Sequence, residues 1–136
     1  MATLASSDTA TSASVVSRYG IPFISIGRIF AGALSWASPT LSSRVFVLGR
    51  SAPDGRAGLL ARLFGVRDLA LGLALQHPSA DVRKVALQAG VVIDSADVLA
   101  TVLAVQAGAP RSSLLGVAAG AALFVGLALG AMSDRR

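Results

Sequence analysis

Residues 112–133 read SSLLGVAAGAALFVGLALGAMS, preceded by Arg111 and followed by Asp134, Arg135 and Arg136. No charged side chain falls inside this stretch. Leu114, Leu115, Val117, Leu123, Phe124, Val125, Leu127 and Leu129 are all favourable in hydrocarbon. About 20 such residues carry a helix across a bilayer core. A helix buried in a soluble protein could look the same, but 136 residues leave too little other protein to cover several of them.

Working outward, the five prolines divide the chain. Pro39, Pro53, Pro78 and Pro110 fall between apolar stretches, and Pro22 falls where a first helix would begin, in a turn that needs no backbone donor. The segments between them predict spans over 18–38, 57–76, 84–106 and 113–132. The expected fold is therefore all-α, an integral membrane four-helix bundle over 18–132. An Ala-, Ser- and Thr-rich disordered tail is expected over 1–17 and a C-terminal tail over 133–136. The first fourteen residues lack the positive region of a signal peptide. The run Val45-Phe46-Val47-Leu48 is too short to cross, so 41–49 reads as a half-buried interfacial segment. Asp81 or Ser79 is placed to cap the third span. Tyr19 and Trp36 sit at opposite ends of the first, as interfacial anchors do.

Composition agrees. Only 14% of residues are charged and 54% are hydrophobic, with a mean hydropathy of +0.69; soluble domains carry about 25% charged residues. The net charge of +5 is spread rather than gathered on one face, which argues against a nucleic-acid partner. There is no cysteine and no Glu, and no GxSxG, HExxH, P-loop or dinucleotide fingerprint. Neither a catalytic residue, a cofactor nor a metal site is expected, and the single histidine, His77, reads as a loop residue. Arg18, Arg83, Lys84, Arg135 and Arg136 lie on one side of the spans, and Arg44, Arg50, Arg56 and Arg111 on the other. Five against four tilts the expected orientation slightly toward both termini in the cytoplasm.

The informative residues are the charges within the spans. Arg28, Arg67, Asp68, Asp94 and Asp97 fall in one layer, within about a helical turn of the bilayer centre at ~1.5 Å rise per residue. A central Arg or Asp costs ~2.5–3.5 kcal/mol, against ~0.3–0.6 returned by each Leu, Ile, Val or Phe. The third span's apolar residues thus supply roughly 4–5 kcal/mol against ~5–7 for its two aspartates. Neither it nor the second span inserts comfortably alone. Their charges must meet one another, or water, inside the bundle.

Spacing assigns directions. Asp94 and Asp97 share one face of the third span, extended by Gly90 and Thr101. Ser25, Arg28, Gly32 and Ser35 form a stripe on the first span. Ala61, Gly65, Asp68 and Gly72 form a smooth face on the second that permits close approach. Arg67 and Asp68 diverge by about 100° around their helix and should reach different neighbours. Two arginines face three aspartates, leaving one carboxylate over. Arg62 could complete the set or snorkel to the interface; if it snorkels, Asp94 and Asp97 are expected to share a proton. On the fourth span, Gly116, Gly120 and Gly130 form a helix-packing face, either within the bundle or toward a second copy or partner subunit.

The segments SIGRIFAGALSWASP (25–39), RLFGVRDLALGLAL (62–75) and DSADVLATVLA (94–104) resemble a family of small four-helix bacterial membrane proteins with actinobacterial members. That family is broadly similar to the DoxX-like proteins. The resemblance implies a membrane location and four helices, and no particular reaction. The leading expectation is a polytopic membrane protein whose Arg/Asp cluster binds a small molecule, lipid group or proton. Two alternatives stand beside it: an accessory subunit of a larger membrane complex, and a small proton-coupled transporter. Small multidrug exporters share the length and helix count but depend on a first-helix Glu, where this chain has Arg28.

Overall fold

The computed structural model describes residues 4–45, 55–109 and 111–133, and these are helical and connecting segments throughout. Five helices follow in order: α1 (Leu4–Ala37), α2 (Pro39–Val45), α3 (Gly55–Ala74), α4 (Ala80–Gln106) and α5 (Arg111–Ser133). Each expected span coincides with a helix. Three are long and apolar enough to cross a membrane: Tyr19–Ala37 within α1, Ala80–Gln106, and Gly116–Ser133 within α5. The exception is α3, which carries Arg56, Arg62, Arg67 and Asp68 in twenty residues.

The N-terminal part differs from expectation. Helix α1 begins at Leu4, so most of the stretch expected as a disordered tail is helical, and Pro22 lies inside the helix rather than at its start. Residues 4–18 hold three alanines, the strongest helix former, among five serines and two threonines, so propensity alone does not account for this helix. Within membrane helices an internal proline is tolerated because neighbouring groups re-satisfy the freed carbonyl.

At Ser38 the chain turns into α2, an element the four-span reading did not contain. Pro39 opens this helix in a position that needs no donor, and Ser38 Oγ accepts from the Leu41 amide at 3.3 Å. Its buried residue is Ser42, bonded to Ser35 Oγ of α1 at 2.8 Å, while Leu41 and Val45 are exposed. Of the half-buried segment expected over 41–49, the part 41–45 is helical with Ser42 inward, and 46–49 lie outside the described residues.

Helix α4 is sharply bounded. Ser79 is its N-cap, accepting from the Val82 amide, and Asp81 stands in the first turn near the positive end of the helix dipole. At the other end Gly108 adopts φ 95°. Its amide donates to the Val105 carbonyl at 3.1 Å and the Ala109 amide to the Ala104 carbonyl at 3.0 Å. These two bonds form a Schellman motif, which needs a residue free to take the left-handed conformation.

Helix α1 packs closely on α3, and α4 on α5; α1 also touches α5, whereas α3 and α4 meet sparingly. Small residues let the first pair approach. A Cβ added to Gly32 would lie 2.6 Å from the Gly65 carbonyl oxygen, and one added to Gly65 would lie 2.7 Å from that of Gly32. The helix backbones touch there, as small-residue faces in membrane helices allow. A compact apolar core of Ile24, Leu75, Ala86, Leu87 and Ala128 lies beside the buried Ser25, Arg28 and Asp94. Phe23, Ile26, Phe30, Leu63, Val85, Val92, Leu99 and Leu123 point outward. Polar groups inside and large apolar side chains outside suit a hydrocarbon solvent.

Candidate functional site: an alternating chain of five charges

The structure brings Arg28, Arg67, Asp68, Asp94 and Asp97 together from three helices. From α1, Arg28 donates through Nη1 to Asp68 Oδ1 at 2.9 Å and through Nη2 to Asp94 Oδ2. From α3, Arg67 donates to both carboxylate oxygens of Asp97, at 3.2 and 2.7 Å. Arg67 Nη2 also stands 3.7 Å from Asp68 Oδ1, too far for a hydrogen bond but close enough to join the two halves electrostatically. The order is Asp94–Arg28–Asp68–Arg67–Asp97, with signs alternating throughout.

Local helix geometry sets each direction. Asp94 and Asp97 leave α4 on one side, as their spacing requires, but each meets a different arginine. The structure therefore does not pair Asp94 with Asp97: Arg28 stands against the first and Arg67 against the second. Arg67 and Asp68 do diverge, Asp68 toward α1 and Arg67 toward α4. Gly90 makes room for Arg28, since a Cβ there would come within 3.1 Å of Nη2.

Exposure differs sharply between the Asp94–Arg28 end and the rest of the series. The Arg28 and Asp94 side chains are 3% and 4% exposed, against 27% for Arg67, 20% for Asp68 and 18% for Asp97. The Arg28–Asp94 end is enclosed by the helices, whereas Asp68, Arg67 and Asp97 are each partly exposed. Arg67 Nε is buried without a hydrogen-bond partner among the described residues.

Two aromatic rings complete the surroundings. Arg28 lies over Phe124 of α5, 4.9 Å from the ring centre, and Arg67 over Phe64, at 4.6 Å. Stacking on a ring face stabilises a desolvated cation. Ser25 Oγ donates to the Gly72 carbonyl at 2.8 Å, tying α1 to α3 one turn from Arg28. The sequence reading did not use Phe124 or the Ser25 bond. The available signal for Phe124 was its place as the sole aromatic of an otherwise aliphatic helix.

The remaining candidates lie elsewhere. Arg62 is exposed, with Nε directed to the Trp36 carbonyl at 3.4 Å, so it snorkels rather than joining the cluster. Thr101 Oγ1 donates to the Asp97 carbonyl of its own helix at 2.8 Å, a local bond rather than a contribution to the ion pairs. On the Gly116, Gly120 and Gly130 face, a Cβ at Gly120 would meet nothing within 4 Å among the described residues. Helix α5 instead buries Ala121, Ala128 and Ala131. His77 lies in the α3–α4 turn, its Nδ1 accepting from the Ser79 amide at 3.1 Å.

An all-helical chain with three membrane-length apolar helices and a charged interior fits the class of helical membrane proteins. Comparison with family models, curated proteins and solved structures returns no match.

Proposed function

We propose that the protein crosses a bacterial inner membrane four times, through α1 from about Tyr19, α3, α4 and α5. Its Arg/Asp chain is then a polar site within the bilayer for a small molecule, a lipid group or a proton. A crossing α3 is consistent with the partners of its two central charges, and four spans are also what the resemblance to DoxX-like membrane proteins implies.

The observation that carries the binding reading is this contrast in exposure. A structural lock is complete with Arg28 and Asp94, which are almost fully enclosed. The Arg67–Asp97 pair adds a partly exposed charge pair joining α3 to α4. At bilayer depth such a pair must meet water, a headgroup or a ligand, and ionisable groups placed there mark pathways and binding sites.

Native mass spectrometry of the protein released from lipid nanodiscs tests this. The account expects a bound lipid or small-molecule adduct that Arg67→Ala abolishes, or, where no adduct is seen, a carboxyl of the cluster that infrared titration shows to exchange a proton. Neither being found would leave the cluster a purely structural lock.

A second reading, an accessory subunit or homo-oligomer, is favoured by the space open at Gly120 among the described residues, into which a neighbouring backbone fits. Co-release of a second chain in the same measurement supports it. The transporter reading expects Asp94→Asn or Asp97→Asn to leave a folded protein without proton-coupled flux.

A further inference from the structure

Two arginines serve three carboxylates, and the geometry locates the surplus. Arg67 and Asp97 form a matched pair, two nitrogens on two oxygens. Arg28, by contrast, divides one guanidinium between Asp68 of α3 and Asp94 of α4. The uncompensated negative charge therefore belongs to Asp68–Arg28–Asp94. Within that trio Asp94 is enclosed, 4% exposed, and Asp68 is the accessible carboxylate, 20% exposed.

The groups facing Asp68 can be named from each helix. Helix α1 brings Arg28, α3 brings Arg67, and α4 brings Asp94 and Asp97. Helix α5 brings the Phe124 ring, over which Arg28 lies. The one charge of α2, Arg44, is exposed in its last turn. Both arginine contacts fall on Asp68 Oδ1, at 2.9 and 3.7 Å.

We propose that Asp68, whose side chain is partly exposed, is a proton-binding site, exchanging a proton with water on Oδ2 while Oδ1 continues to accept from Arg28. The inference rests on the intramembrane-site reading above and names its occupant. With the proton bound, the cluster consists of two matched ion pairs and one neutral acid. On release the proton returns to water, the carboxylate regains its charge, and no other bond is made or broken. Arg67 Nη2, now 2.7 Å from Asp97 Oδ2, then has a second carboxylate within about 1 Å of its present reach. Proton release thus offers Arg67 a choice between Asp97 on α4 and Asp68 on its own helix. Because α3 and α4 meet sparingly, that choice governs how tightly the two helices are tied.

Infrared difference spectroscopy of the full chain in nanodiscs tests the assignment, in H2O and D2O, from mildly acid to alkaline pH. The expected result is one protonated-carboxyl band that shifts in D2O, disappears on alkaline titration, is absent in Asp68→Asn and persists in Asp97→Asn. The Asn variant keeps an oxygen for Arg28 and imitates the neutral state; circular dichroism checks that it folds. Should it not fold, Asp68→Glu moves the band without removing it if the assignment holds. Absence of the band, failure to shift in D2O, survival in Asp68→Asn or an unmoved band in Asp68→Glu each overturn the proposal. A ligand adduct without the band sinks the proton alone and leaves the site reading standing.

Discussion

Arg28 stands between Asp68 and Asp94, so one guanidinium from α1 joins carboxylates on two other helices. Only a planar fork of donors serves two carboxylates from one side chain in this way. Replacing Arg28 by Leu leaves two carboxylates without their cation in a low-dielectric interior. Breaking a buried pair typically costs ~3–5 kcal/mol. Thermal unfolding in mild detergent should show Arg28→Leu among the most destabilised single variants. Arg28→Lys should recover only part of the loss, because a point-like ammonium cannot reproduce both contacts.

The Arg67–Asp97 pair makes a different prediction because it is half-exposed. Arg67→Asp and Asp97→Arg should each loosen α3 from α4. The double exchange should restore stability, with a coupling energy within the usual ~0.5–3 kcal/mol for residues in contact. Denaturant unfolding of the four proteins of the cycle measures this directly. Additive effects would mean that the two side chains do not act on each other.

Glycine positions separate a packed helix face from an open one. Gly32→Ala and Gly65→Ala push a methyl group into facing backbone that cannot yield locally. Overpacking of this kind costs ~1–3 kcal/mol. Gly120→Ala meets nothing among the described residues and should change its monomer's stability by about 0.5 kcal/mol or less. If Gly120→Ala instead weakens an assembly seen by cross-linking, the open face is covered by another chain.

Much of this arrangement is legible in the sequence, because charge inside hydrocarbon is too costly to be incidental. The five cluster residues, the Gly65 and Gly72 face, and the helices over the four spans all follow from that cost and from helical spacing. Pairing was less accessible. Periodicity says which face Asp94 and Asp97 share, but only the relative depth of α1 and α3 sends one to Arg28 and the other to Arg67. The helical course of 4–18 was hidden because Ala, Ser and Thr suit both a tail and a helix, and Pro22 suggests a start. Helix α2 was hidden behind Pro39, whose role as an opener depends on the turn at Ser38. The reach of Arg62 depends on a backbone carbonyl at Trp36, which no residue pattern advertises.

The central claim is that α3, the least apolar of the long helices, crosses the membrane because its charges are met inside the bundle. The chain has no cysteine, so single cysteines can be placed at Gly55 and His77, at the two ends of α3, without background. Labelling with a membrane-impermeant maleimide in sealed vesicles of known orientation is the most direct test. The account predicts that the two positions react from opposite sides. Reaction of both from the same side would contradict it, placing α3 on the membrane surface and Arg67 and Asp68 outside the bilayer.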